Sequence, residues 1–300
     1  MSNRTTVTEF LLLGFSDVRE LQILHFVVFL VIYLVALVGN LLIFMAIAFD
    51  HHLHTPMYFF LMNLSILDVG SISVTVPKSM ANSLMNTKSI SYAGCVAQVF
   101  FLFFLMAADF SLLTVMAYDR YVAICQPLHY DTMMNSKACV QMAASAWITG
   151  ILYSVLHTGN TFALTFCGGD MVDHEIGVLT FSVCLLLGCF VFIIVSYVQI
   201  FKSVLRIPSE QGRHKAFSTC LPHLTVVSLV VFTGSFAYLK PTSSSPSALD
   251  LVVAVLYSVL PQIMNPIVYS LRNKEMKLNY TICQWLGKIL PRSSLNLVGH

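Results

Sequence analysis

Charge is what this sequence has least of. Only 10% of its 300 residues are Asp, Glu, Lys or Arg, where a water-soluble domain carries roughly a quarter. A soluble globular domain is excluded on that ground, because too few charges remain to cover its surface. The formal net charge of +2 is too small to argue for a nucleic-acid partner. Eight cysteines occur, at 95, 125, 139, 167, 184, 189, 220 and 283, without a Cys-x-x-Cys pair or a Cys/His spacing suited to zinc. Most fall in or beside apolar runs, where cysteine serves as a small apolar filler. Neither Gly-x-Ser-x-Gly nor His-Glu-x-x-His is present, so an intramembrane enzyme finds no nucleophile or metal signature here. His51, His52 and His54 cluster, but in a short connecting loop that reads as surface. Internal repeats are missing as well, and a multi-pass transporter tends to show them in matching halves.

Apolar residues fill the space that charge leaves. The chain is 57% hydrophobic, with 22 Phe and 14 Met and a mean hydropathy of +0.79. A bilayer core needs roughly 20 apolar residues per helix. Seven stretches qualify, at about 23–48, 57–80, 95–118, 139–162, 177–201, 215–239 and 247–271. The expectation is an all-α membrane protein, one seven-helix bundle over residues 1–300 with short loops. Residues 1–20 are polar and mixed, so no cleavable signal peptide is visible and the first span is expected to act as an uncleaved anchor.

Seven spans put the termini on opposite sides. Eleven Lys and Arg, including Arg120, Lys202, Arg213 and Lys274, fall on the side of the C-terminus, and five on the side of the N-terminus. The positive side is cytoplasmic, so the N-terminus is expected outside. Asn3-Arg4-Thr5 is a glycosylation sequon at Asn3 on that outer side.

Against this uncharged background, MAYDRYVAICQPLHY, starting at Met116, sets Asp119 and Arg120 side by side at the inner end of the third span. Three further stretches accompany it: LHTPMYFFLMNLSILD at Leu53–Asp68, KAFSTCLPHL at Lys215–Leu224 and PQIMNPIVYSLRNKE at Pro261–Glu275. Together, in this order and at these spans, they closely resemble the odorant-receptor branch of the rhodopsin-like G-protein-coupled receptors. The resemblance covers roughly Glu9 to Lys277. It implies a receptor that binds small volatile apolar molecules and activates a stimulatory heterotrimeric G protein to raise cyclic AMP, at the plasma membrane of olfactory cilia.

The resemblance also implies residue roles. Arg120, held by Asp119 and followed by Tyr121, is the inner latch of a two-state bundle that swings towards Tyr197 and Tyr269 on activation. Asn265, Pro266 and Tyr269 form the span-7 motif, and Asn40 after Gly39 gives a polar contact to spans 2 and 7. Thr233, in Phe232-Thr233-Gly234, stands where family members often carry Tyr.

Two acids lie near mid-membrane, Asp68 in span 2 and Asp109 in span 3. A carboxylate there costs roughly 3 kcal/mol on the lenient insertion scale, so each must face the interior. Close together, they either share a cation or leave one protonated. By resemblance Asp68 is the sodium-site acid, and Asp109 stands where odorant receptors usually carry Glu. A hydrated Na⁺ held by Asp68, Asp109, Asn40 and Asn265 is the favoured expectation; no other cofactor is implied. The odorant chamber is expected in the outer half, lined by Phe103, Met106, Ala107, Phe110, Phe181, Leu185, Leu186, Phe236 and Ser258, with few polar groups.

The family's second outer loop is long and rich in cysteine. Here TFCGGDMVDHEIGVLTF, starting at Thr165, runs from one Cys almost at once into span 5. By resemblance Cys95 lacks its usual partner, which leaves either a substitute bridge to Cys167 or a free Cys95. A non-signalling or poorly folding deletion variant is therefore an alternative, and a transporter a second.

Overall fold

The computed structural model describes residues 8–12, 18–87, 89–164, 171–239 and 259–269. Six long helices follow one another: α1 Arg19–Phe49, α2 Pro56–Met85, α3 Tyr92–Cys125, α4 Ser136–Leu164, α5 Met171–Leu205 and α6 Glu210–Leu239. A seventh, α7, spans 259–269 within the predicted seventh span. All six long helices are apolar and long enough to cross a membrane. Helix is the form such runs must take, because lipid offers no partner to an open N–H or C=O.

The surface is inverted relative to a soluble protein. Val31, Val35 and Val38 on α1, and Leu187, Val191 and Val195 on α5, are each about half exposed, and face where lipid would lie. Inside, Ile43, Phe60, Leu64, Leu67, Leu112, Leu113, Met116, Ile193 and Ile200 pack as one buried cluster. Two close approaches depend on glycine. A Cβ at Gly150 would stand 2.7 Å from the Phe104 carbonyl of α3, and one at Gly39 would stand 3.0 Å from Cγ of Pro266 on α7.

Local signals set the helix ends. Pro56 opens α2, where its missing N–H costs nothing. Asn86 closes it in the left-handed region at φ 51°. The Ser91 hydroxyl accepts from the Gly94 amide, 3.2 Å, at the head of α3. A one-turn helix, Tyr130–Met133, lies between α3 and α4.

The outer face is pinned by a two-stranded antiparallel sheet that the apolar pattern did not foreshadow. Strand β1, Glu9–Leu11, pairs with β2, Ser89–Ser91, with Phe10 opposite Ile90. Phe10 stacks on Tyr92 at 5.9 Å and meets Phe162 of α4 edge-on at 6.3 Å. An N-terminal segment thereby ties the heads of α3 and α4. Replacing Phe10 with Ala is expected to cost about 1–2 kcal/mol, the worth of the lost aromatic contacts. Thermal unfolding of the solubilised receptor checks it; an unchanged midpoint would make the strand incidental.

Only residues 165–170 separate α4 from α5. Cys95 is a free thiol in the structure. Cys167 and Asn3 lie outside the described residues, so the expected bridge and sequon are not described beyond that.

Candidate functional site

The inner end of α3 carries Asp119 and Arg120, both buried. The expected clasp between them is corrected by the structure. Neighbours in a helix project about 100° apart and do not face each other. Asp119 Oδ1 instead accepts the Tyr130 hydroxyl at 2.8 Å, which fastens the loop after α3. Burial, and then the Asp119 carboxylate, push the Tyr130 phenol above its ordinary range, so it stays a donor. The Arg120 guanidinium turns to Met57 Sδ on α2, and its Nε has no partner.

Above Arg120 sits a residue to which the sequence reading gave no role. His223 of α6 is fully buried. Its Nε2 lies 2.9 Å from the Leu113 carbonyl of α3, and its Nδ1 lies 2.7 Å from the Tyr197 hydroxyl of α5. A carbonyl only accepts, so Nε2 carries the proton and Nδ1 receives the Tyr197 O–H. One neutral imidazole thus joins three helices and holds Tyr197. The signal was present, since His223 lies inside KAFSTCLPHL; its partners, far off in sequence, were not visible. Tyr269 is buried with its hydroxyl unpartnered. Tyr121 is half-buried and accepts from Gln126 Nε2 at 3.3 Å.

Midway along the bundle, Asn265 Nδ2 donates to Asp68 Oδ2 at 2.9 Å. Asn40 Nδ2 donates to the Ala36 carbonyl and across to the Gln262 carbonyl of α7, both at 3.0 Å. Its expected contact to span 7 is therefore made, while that to span 2 is not. Pro266, next to Asn265, packs on Gly39. Three buried oxygens here lack a donor: Asn40 Oδ1, Asn265 Oδ1 and Asp109 Oδ1. All three are acceptors, the kind of atom a hard cation takes.

In the outer half Ala107 and Phe110 are buried, whereas Phe103, Met106 and Leu185 are half-buried. Phe181 and Leu186, expected in the chamber, are 47% and 42% exposed. The inward residue on that turn of α5 is Ser182, at 4%; the helix is rotated so that its hydroxyl, not the phenyl ring, faces the bundle. Phe103 stacks on His157 of α4 at 4.9 Å, and His157 Nε2 is hydrogen-bonded to Ser182 Oγ. The outer half is more polar than its sequence promised. Thr233 Oγ1 donates to its own helix at the Leu229 carbonyl, 2.7 Å. The Phe236 side chain and Ser258 lie outside the described residues.

A bundle of membrane-length helices with a polar heart and a buried arginine at one end is the architecture of a polytopic membrane protein with an interior built for more than packing. The family model described as Olfactory receptor matches residues 29–285. Human Olfactory receptor 14A16 is 52% identical over 296 aligned residues, which take in 92% of this chain and 96% of that protein. Human Olfactory receptor 14I1 is also 52% identical, over 92% and 95%, and gorilla Olfactory receptor 1D2 is 46% identical, over 91% and 94%. The chain belongs to the olfactory receptor family of G-protein-coupled receptors. It is a seven-helix odorant receptor with its N-terminus outside, a multi-pass protein of the plasma membrane, and not an enzyme.

Proposed function

We propose that this receptor captures small, weakly polar volatile molecules among Phe103, Met106, Ala107, Phe110 and Leu185, and couples through Arg120 to a stimulatory G protein. The observation that carries the coupling half is the pairing of an unclasped Arg120 with a His223 tie that restrains Tyr197. Apolar lining gives weak, broad binding, because dispersion and burial discriminate shape poorly. Cells expressing the chain with a stimulatory G protein should raise cyclic AMP when exposed to an odorant panel. A panel-wide silence at normal surface density would reject the coupling.

The polar heart is assigned a hydrated Na⁺. Asp68 and Asp109 would supply charge, and the free amide oxygens of Asn40 and Asn265 would complete the shell. The three donor-less oxygens support this reading. Asp68→Asn and Asp109→Asn should then be non-additive in thermal stability by about 1 kcal/mol or more, and each should remove the dependence on Na⁺. Additive losses with sodium sensitivity intact would refute a shared ion.

One observation favours the alternative of a deletion variant. The 296 aligned positions exceed 92% of a 300-residue chain, so some positions of Olfactory receptor 14A16 have no counterpart here. Six residues between α4 and α5 are a natural place for the loss. Surface labelling of the tagged receptor separates the readings: retention inside the cell would favour the variant.

A further inference from the structure

His157 was not among the expected chamber residues, yet it is built as a polar anchor. It lies seven residues before the outer end of α4, roughly 10 Å into the membrane by helix rise. Tyr153 and Phe103 flank its ring, with centroids 4.3 and 4.9 Å away. Its Nε2 meets Ser182 Oγ on α5. That same Ser182 hydroxyl lies 2.7 Å from the Val178 carbonyl of its own helix.

One tautomer satisfies both contacts as hydrogen bonds. A hydroxyl has one proton, and a carbonyl can only accept. Ser182 must give its proton to Val178, so its oxygen accepts from His157, and Nε2 is the protonated nitrogen. In a neutral imidazole Nδ1 then holds a bare lone pair. It has no hydrogen-bond partner among the described residues. The residue is half-buried, whereas Thr158 Oγ1, one position on, is buried and unpartnered. An open acceptor, oriented by a second residue and pressed against the chamber residue Phe103, is arranged to meet a donor.

We propose that His157, held in the Nε2–H tautomer by Ser182, is the hydrogen-bond acceptor that selects hydroxyl-bearing odorants, alcohols and phenols. The proposal rests on the reading of the outer half as the odorant site. Ethers, esters and ketones carry no donor and gain nothing from Nδ1. Carboxylic acids are ionised at neutral pH and lose theirs, and a protonated amine pays heavily to enter an apolar wall. A neutral hydrogen bond is worth roughly 1 kcal/mol net, so the preference for an alcohol over its isomeric ether should be about three- to tenfold.

Diethylpyrocarbonate acylates unprotonated imidazole nitrogen, and peptide mapping of the purified full-length receptor reads His157 directly. Without ligand, His157 should be modified. Octan-1-ol should protect it at concentrations about three- to tenfold below those of heptyl methyl ether, an isomer of equal size. In Ser182→Ala the tautomer is freed, and that preference should shrink towards unity while His157 still reacts. An unreactive His157, equal protection by the two isomers, or protection by neither would overturn the anchor. Cyclic AMP is measured in parallel. Protection without a cyclic AMP response would uphold the anchor and reject the coupling; a response without selective protection would do the reverse.

Discussion

Arg120→Ala is expected to lower the odorant-evoked cyclic AMP response at least tenfold, to near the basal level, while surface density and ligand capture stay as in the parent. The reason lies in where the guanidinium sits and what it lacks. Arg120 is 8% exposed, yet its nearest side-chain partner is a thioether and its Nε has none. Its charge acts on the neighbouring Asp119 carboxylate with no ion pair between them, and Asp119 keeps its Tyr130 hydrogen bond when the arginine is removed, so the variant should still fold. Its separation from the outer half leaves His157 and Phe103 untouched. Arg120→Lys keeps the charge but loses the planar fork, and an intermediate response should result. Unchanged signalling by Arg120→Ala at matched surface density would remove the arginine from the coupling step.

The same residue shows where sequence reasoning reached and where it stopped. The helices were legible because lipid imposes a length and an apolar run on every span. Asp68, Asp109 and Asn265 were legible because a polar group at mid-membrane must turn inwards, and Asn265 does reach Asp68. The resemblance implies that Asp119 holds Arg120, but neighbours along a helix do not face each other. Asp119 belongs with Tyr130, eleven residues on. Helix phase failed for a related reason. On a largely apolar helix such as α5 little in composition separates the lipid face from the bundle face, so the resemblance that turns Phe181 and Leu186 inwards meets no check there. Ser182, deeper in the span than the exposed Thr180, is the better guide, because a polar side chain avoids lipid. The β1–β2 sheet escaped notice because three-residue strands carry too little pattern to read.

His223→Phe is expected to raise basal cyclic AMP severalfold and to lower thermal stability at the same time. Phenylalanine keeps most of the ring's volume, so packing against Tyr197, whose ring centroid lies 5.7 Å away, is largely retained. Both hydrogen bonds vanish. The Tyr197 hydroxyl would then be buried without a partner, at about 1–3 kcal/mol, while the Leu113 carbonyl would keep only its bond within α3. That penalty falls on the closed arrangement, in which the imidazole ties α3, α5 and α6 together. An arrangement in which Tyr197 turns to Arg120 instead regains a partner for the hydroxyl, so its population should grow. Tyr197→Phe separates this account from simple loosening. It removes the same hydrogen bond to His223, and with it a share of stability, but also the hydroxyl that Arg120 would receive. Its basal level should stay low and its odorant response should fall. If His223→Phe and Tyr197→Phe behave alike at equal surface density, the tie is a structural strut. If basal cyclic AMP rises in the first alone, His223 is what keeps the receptor quiet.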